Sequence, residues 1–187
     1  MMHTAWEWKS EIPVDICDYI IKNLDNNYQD GKIAGKDLDD NSKYNSKVRN
    51  VKVSFKSDNW VNALLIGYMR YANYYNFHYD LSESDKEGVQ FSKYNEGCFY
   101  KKHTDYGEND KHKTRKLSLS LQLSDENEYE GGELILYNHI QGNSFPVHKS
   151  KGSLIVFDSR IVHEVTTVTS GTRYSLVKWY HGDQPLK

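Results

Sequence analysis

The 187-residue sequence predicts a mainly β fold with helices near its N-terminus. From Val89 onward, short runs of alternating apolar and polar residues are separated by Gly, Asn and Asp, which is typical of an all-β region. Before Val89, two segments place apolar residues at helical spacing. A chain of this length suits one domain with a sizeable core. We therefore expect a single domain, residues 1–187, with helical support in 1–88 and a β core in 89–183.

The N-terminal part contains two predicted helices and two predicted strands. Ala5 to Trp8 is expected to form a short strand, and Pro13 to begin a helix, because its missing N–H costs little in a first turn. Alternation at positions 51, 53 and 55 predicts another strand, and Asp58 is expected to cap a helix that runs to roughly Phe77. The apolar stripes of the two helices are Val14, Cys17, Ile20, Ile21 and Leu24, then Val61, Leu64, Leu65, Tyr68, Tyr71 and Tyr75.

One strand-like run in the β region has two chemically distinct faces. Leucines at 117, 119, 121 and 123 alternate with Ser118, Ser120 and Gln122. One interpretation buries the leucines and leaves the polar face in water. The other uses the polar face to line an internal cavity. Two further buried strands are expected at residues 152–158 and 173–180, and Arg173 and Trp179 share one face of the second.

A histidine and a carboxylate two residues apart, His103 and Asp105, give the strongest chemical signal. Alternate residues of a strand project the same way, so both can reach one metal ion. His163 is a candidate for the second histidine ligand. Two histidines and one carboxylate leave three metal positions open, which is the ligand set of non-haem Fe(II) oxygenases. Arg173, ten residues beyond His163, can hold a dicarboxylate by a bidentate salt bridge.

These motifs together resemble the 2-oxoglutarate and Fe(II)-dependent oxygenases, in particular their prolyl 4-hydroxylase-like group. The resemblance runs over residues 89–182 and includes YNEGCFYKKHTD at 94–105, the leucine strand, YEGGEL at 129–134, GSLIVFDS at 152–159, and His163 through Trp179. Bacterial PKHD-type hydroxylases are the most similar around 122–124 and 130–134. The resemblance implies a double-stranded β-helix (jelly-roll) core supported by two or three α-helices. It also favours the interpretation in which the polar face of residues 118–122 lines the cavity.

The resemblance further implies Fe(II), 2-oxoglutarate and O2 as cofactors, with ascorbate as an optional stimulant. Arg173 and Ser175 would bind the distal carboxylate of 2-oxoglutarate. Tyr94 aligns with a tyrosine that hydrogen-bonds the cosubstrate, whereas Gln122 stands where some prolyl hydroxylases carry a tyrosine. The substrate-binding candidates are Tyr100, Trp179 and Arg160. Ordinary packing is the alternative for the aromatic residues, and a solvated loop position is the alternative for Arg160.

The function that the resemblance implies is hydroxylation of a peptidyl substrate, with a prolyl residue as the expected target and succinate and CO2 as products. One alternative is a hydroxylase of a small molecule or a free amino acid. Another is a non-catalytic jelly-roll binding module, which an intact metal triad with Arg173 disfavours. Residues 25–50 and 107–115 are polar and rich in Gly, Asn, Asp and Lys. They are either lids over a bound peptide or solvated surface loops.

Composition excludes several other classes of protein. The formal net charge of −2 disfavours nucleic-acid binding, which usually requires a basic excess. No apolar run approaches the roughly 18 residues of a membrane span, and the N-terminus lacks a signal-peptide pattern. Two cysteines are too few for a disulfide framework, so a reducing, cytoplasmic location is expected. The sequence gives no indication of oligomeric state.

Overall fold

The computed structural model describes residues 4–32, 45–57, 59–82, 87–107, 112–138 and 142–184. The helices are α1 (Val14–Leu24) and α2 (Asn59–Ala72), and α2 continues as a π-helical segment, Asn73–Phe77. The strands are β1 (Ala5–Trp8), β2 (Gln29–Asp30), β3 (Arg49–Asn50), β4 (Lys52–Lys56), β5 (Val89–Asn95), β6 (Phe99–His103), β7 (Arg115–Gln122), β8 (Tyr129–Gly131), β9 (Leu134–Asn138), β10 (Asn143–Pro146), β11 (Leu154–Asp158), β12 (Val162–Val165) and β13 (Val168–His181).

The strands form two antiparallel sheets that share an apolar layer. The larger sheet has the order β1-β11-β7-β13-β5-β4-β2, with β8 paired to β13, and the smaller has the order β10-β9-β12-β6-β3. Side chains from both sheets meet in one buried cluster, in which Phe157 and Val53 of the larger sheet join Leu136 and Val165 of the smaller. The predicted jelly-roll core is therefore confirmed, with two helices beside it.

Strand β7 shows why the leucine alternation matters, because both of its faces are buried. Leu117, Leu119 and Leu121 belong to the cluster that includes residues of α1 and α2. On the opposite face, Ser118, Ser120 and Gln122 are also buried. The interpretation in which the polar residues line the interior is confirmed, and the one that leaves them in water is wrong.

Several local predictions need correction. The buried stripe of α2 is Val61, Leu65, Met69 and Ala72, whereas Tyr71 and Tyr75 are exposed and pack beside Trp6. A tyrosine has a polar tip and fits a helix border as well as a core face, so spacing alone misplaced these two. Phe55 is likewise exposed, although its neighbour Val53 is buried.

The two polar segments are only partly described. The ends of the first, 25–50, form strands β2 and β3 rather than loop. Asp58 and residues 33–44 and 108–111 lie outside the described residues, so the helix cap and the lids stay predictions. In the described part of the chain, neither helix is long and apolar enough to cross a membrane.

Candidate functional site

His103 and His163 lie on neighbouring antiparallel strands and face each other directly. His103 is the last residue of β6, and its partner in the β6–β12 register is His163. Asp105 lies in the bend beyond β6, so it does not share a strand with His103 as the sequence suggested. Its backbone N–H donates to the carbonyl of Ser159 at 3.0 Å, which brings the bend back to the two histidines.

The three predicted ligands converge on one point. Asp105 Oδ1 lies 3.7 Å from His103 Nε2, and Asp105 Oδ2 lies 3.5 Å from His163 Nε2. One ligand atom from each residue lies within 4.8 Å of the others. Among the described residues, His103, Asp105 and His163 form the one cluster of His, Cys, Asp or Glu side chains that is close enough together to hold a metal ion.

Hydrogen bonds orient both imidazoles for metal binding. His103 Nδ1 lies 2.8 Å from the carbonyl of Lys101, and His163 Nδ1 lies 2.9 Å from the carbonyl of Ile161. A carbonyl only accepts, so Nδ1 carries the proton in each ring and Nε2 keeps its lone pair. Both lone pairs therefore belong to the atoms that face Asp105. This donor set fits a divalent transition metal.

Electrostatics favours an ionised Asp105 and a neutral His103. Burial would raise the pKa of Asp105, but His163, His103 and Arg115 hold that pKa well below its usual range. Ser118 Oγ adds a hydrogen bond to Asp105 Oδ2 at 2.7 Å. Burial, together with the neighbouring His163, lowers the pKa of His103 to about 3. Both residues are thus in the protonation state that a metal requires.

A buried ion-pair network that the sequence did not reveal supports the aspartate. Arg115 donates to Glu87 through Nε at 2.9 Å and Nη2 at 2.8 Å, and through Nη1 to the backbone carbonyl of Asp105 at 3.2 Å. His181 Nε2 lies 3.4 Å from Glu87 Oε2. The Arg115 guanidinium also lies 3.9 Å from the ring centre of Trp179. The network thus joins the metal site to a predicted substrate-binding residue.

Arg173 lies toward the other end of β7 from Ser118. It is 3% exposed, and its Nη1 donates to Ser175 Oγ at 3.2 Å. It lines a small recess that opens to solvent. The other lining residues are Ser120, Gln122, Tyr129, Gly132, Leu134, Val147, His148, Lys149 and Ser153. A buried guanidinium with a neighbouring hydroxyl suits the carboxylate of a small acid.

Gln122 and Tyr129 share this recess. Gln122 Nε2 donates to Tyr129 Oη at 3.1 Å, and Arg173 lies close enough to lower the pKa of Tyr129 against the larger, opposite effect of burial. Sequence reasoning placed Gln122 here but missed Tyr129, although Tyr129 begins the YEGGEL phrase. The glycines of that phrase allow a close approach. A Cβ at Gly132 would lie 3.2 Å from Arg173 Cδ. The backbone φ angles of Gly131 (+68°) and Gly132 (+61°) also favour glycine at both positions.

Of the remaining predicted residues, Tyr94 and Tyr100 contact other residues of the site, whereas Arg160 pairs with Asp158. Tyr94 pairs with Arg173 across β5 and β13, and the guanidinium lies 5.3 Å from its ring centre. Tyr100 stacks on His103 with ring centres 3.5 Å apart. Arg160 is engaged elsewhere, because its Nη2 pairs with Asp158 Oδ2 at 2.7 Å. Its predicted substrate role therefore stays a prediction.

Comparison with known sequences agrees with this geometry. Residues 89–181 match the family model of the 2OG-Fe(II) oxygenase superfamily. The chain is similar to PKHD-type hydroxylases of Thermosynechococcus vestitus, at 37% identity over 92 residues, and of Prochlorococcus marinus, at 40% over 97 residues. These alignments cover 48% and 49% of this chain, respectively, and 40% of each relative.

Solved structures show the same fold over nearly the whole chain. A prolyl-4-hydroxylase of Pseudomonas putida aligns with a TM-score of 0.74 at 19% identity, covering 96% of this chain and 93% of that one. A prolyl hydroxylase of Trichoplax adhaerens, in complex with a hypoxia inducible factor peptide fragment, aligns with a TM-score of 0.79 at 16% identity, covering 96% and 84%. At these identities the likeness establishes the fold.

Proposed function

Because the chain belongs to the 2OG-Fe(II) oxygenase superfamily, we propose that it is an Fe(II)- and 2-oxoglutarate-dependent dioxygenase that hydroxylates a prolyl residue of a peptide or protein. The observation that carries this proposal is the convergence of His103, Asp105 and His163 in a barrel that also buries Arg173. When bound, Fe(II) with 2-oxoglutarate and O2 supplies the oxidising chemistry and releases succinate and CO2.

The protein's own task is to bind and orient these partners. His103, Asp105 and His163 would hold the metal through two Nε2 atoms and one carboxylate. Arg173 would bind the distal carboxylate of 2-oxoglutarate with Ser175 as a second donor. Gln122 and Tyr129, which line the same recess, and Tyr94, whose ring lies 5.3 Å from the Arg173 guanidinium, would complete the cosubstrate site.

A peptidyl substrate is supported by the aromatic and cationic groups next to the triad. Trp179 is 7% exposed, and its buried Nε1 has no hydrogen-bond partner among the described residues, which leaves one indole donor unsatisfied beside the site. Arg115 lies against the Trp179 ring, whereas the Tyr100 ring covers His103. The complex of the T. adhaerens enzyme with a peptide supports this class of substrate.

A cytoplasmic location and stimulation by ascorbate belong to the same proposal. The location is supported by two free, buried thiols, Cys17 and Cys98. Ascorbate would keep the metal ferrous between turnovers. We also propose that residues 1–187 act as one catalytic domain, since β1, β2 and β4 from the N-terminal part join the same sheet as β7 and β13.

The test is mass spectrometry of a proline-containing peptide library after incubation with Fe(II), 2-oxoglutarate and ascorbate, with succinate measured in parallel. We expect one added oxygen atom on prolyl peptides and matching succinate. The matched control is His163→Ala, which should give neither product. Oxygen added to free amino acids but to no peptide would favour the small-molecule alternative. Binding of 2-oxoglutarate without succinate release in any mixture would favour a non-catalytic module.

A further inference from the structure

Arg49 is a buried cation close to the metal triad, and no acidic side chain in the described part of the chain balances it. It is 8% exposed, its Nη1 donates to the carbonyl of Lys32 at 2.6 Å, and its Nη2 donates to Gln90 Oε1 at 3.1 Å. Its Nε is buried without a hydrogen-bond partner. No carboxylate of the described residues forms an ion pair with it. Burying a guanidinium in this way is costly unless another group compensates for it.

The compensating group is the ring of Tyr100. Arg49 and Tyr100 are register partners in strands β3 and β6, and the guanidinium carbon lies 4.5 Å from the ring centre. This distance is that of a cation–π interaction. The same ring stacks on the His103 imidazole, with centres 3.5 Å apart and planes inclined by 15°. Tyr100 therefore contacts both the unbalanced cation and a metal-ligating ring.

The surroundings leave Arg49 little freedom to move. A Cβ added at Gly31 would lie 2.6 Å from Arg49 Nε and 2.7 Å from Val51 Cγ1, so the arginine uses space that only a glycine leaves open. Gln90, which accepts from Arg49, donates in turn to Ser92 Oγ at 2.9 Å. The side chain is thus held by backbone, side-chain and ring contacts at once.

We infer that Arg49 is a positioning residue of the metal site: it holds the Tyr100 ring flat against His103 and so fixes the plane of that imidazole. The hydrogen bond from His103 Nδ1 to the Lys101 carbonyl fixes one edge of the ring but leaves it able to tilt about that bond. The stack removes the tilt and keeps Nε2 directed toward Asp105. Groups beyond the ligands that orient them commonly control metal affinity. The inference rests on the proposed function only in taking the triad as a metal site.

The test is calorimetric titration of the full chain with Mn(II) alone. We expect Arg49→Met and Tyr100→Leu each to raise the Mn(II) dissociation constant about tenfold, the lower end of the usual effect of such supporting groups. The double variant should bind no more weakly than Tyr100→Leu, because Arg49 acts through that ring. Tyr100→Phe keeps the ring and should bind like the wild type. Gly31→Ala, which displaces Arg49 without removing its charge, should match Arg49→Met.

Arg70→Met is the matched control. Arg70 also lies over a tyrosine ring, 5.9 Å from the centre of Tyr180, and donates to its hydroxyl at 2.9 Å, but on α2. Its loss should leave Mn(II) affinity unchanged. Arg49→Lys keeps the charge without the planar group and should bind as weakly as Arg49→Met, and it serves in place of that variant should Arg49→Met fail to fold by circular dichroism.

Three results would overturn the inference: additive losses in the double variant, full affinity in Arg49→Lys, or tighter binding by Arg49→Met, which would mean that its charge merely repels the metal. A wild type that binds no Mn(II) would remove the metal site and this inference together. A wild type that binds Mn(II) but hydroxylates nothing would overturn the proposed function and leave the inference intact.

Discussion

The two ends of the barrel are built differently, although both are lined by the polar face of β7. Ser118 at one end supports Asp105, and Gln122 at the other lies in the recess of Arg173. They are four residues apart, or roughly 13 Å along a strand. At the metal end, each ligand is held by a further hydrogen bond, and Glu87 and Arg115 form a buried ion pair behind Asp105. At the other end, the buried Arg173 donates to Ser175 Oγ and lies beside the Tyr129 hydroxyl in a small recess.

The difference follows from the ligands that the two ends are proposed to bind. A metal accepts only a narrow range of distances and angles, so its ligands must be fixed before it arrives. A carboxylate can adjust to a guanidinium, whose donors are already arranged in a plane. Changes at the metal end should therefore affect metal binding and stability, while changes at the Arg173 end should affect only the cosubstrate.

The largest effect is expected from removing a metal ligand. His103→Ala and His163→Ala each leave two ligands, and we expect both purified variants to lose bound metal. Metal content by elemental analysis is the measurement, and circular dichroism checks the fold. The recess beside Arg173 should remain, since neither histidine lines it. Undiminished metal content in both variants would remove the triad from this role.

Breaking the buried ion pair between Glu87 and Arg115 should cause the largest loss of stability. Glu87→Gln leaves Arg115 buried without a full counter-charge, which typically costs about 3–5 kcal/mol. Urea unfolding at neutral pH measures it. The control is Asp30→Asn, which breaks an exposed pair with Lys52 and should cost at most about 1 kcal/mol. Equal losses in the two variants would mean that the Glu87 pair gains nothing from its burial.

The same pair predicts a pH dependence with a definite sign. Burial would raise the pKa of Glu87, but His181 and Arg115 lower it from 4.5 to about 2. A carboxyl whose pKa is lowered on folding stabilises the protein above its unfolded pKa and loses this effect as the pH falls through its folded pKa. We expect the contribution of Glu87 to the free energy of unfolding to be complete above about pH 4.5 and to disappear toward pH 2. Glu87→Gln should lack this part of the acid transition, and an unchanged transition would contradict the prediction.

The contrast between the ends also explains what the sequence could reveal. His103, His163 and Arg173 lie in short motifs at family spacing, and the alternation of β7 separates core from lining residues, so all of these were predictable. Glu87 and Arg115 are 28 residues apart and meet only through the fold, so no local pattern joins them. The position of Asp105 depends on the Ser159 carbonyl, which is even more distant in sequence.

At the other end, Arg173→Lys should weaken 2-oxoglutarate binding while metal binding persists. Lysine keeps the charge but loses the two-pronged geometry, and one charge-assisted hydrogen bond is worth about 1.5–3 kcal/mol, or roughly ten- to a hundredfold in affinity. Calorimetry with Mn(II) present measures it. Arg160→Lys is the control, since that arginine pairs with Asp158 outside the recess. An unchanged dissociation constant in Arg173→Lys would exclude it as the carboxylate ligand.

The smallest expected effect comes from removing one hydroxyl at each end. Tyr129→Phe deletes the acceptor of Gln122 Nε2 beside Arg173, and Ser118→Ala deletes the donor to Asp105 Oδ2. A neutral hydrogen bond contributes about 1 kcal/mol, so Tyr129→Phe should weaken 2-oxoglutarate binding about fivefold and leave Mn(II) affinity unchanged. Ser118→Ala should weaken Mn(II) binding and leave 2-oxoglutarate affinity unchanged, because the Ser118 hydroxyl orients a metal ligand and touches no part of the recess. Calorimetric titration of each variant with Mn(II) and with 2-oxoglutarate measures the two affinities separately. If either variant weakens both ligands equally, the two ends are coupled through β7 and do not act as independent sites.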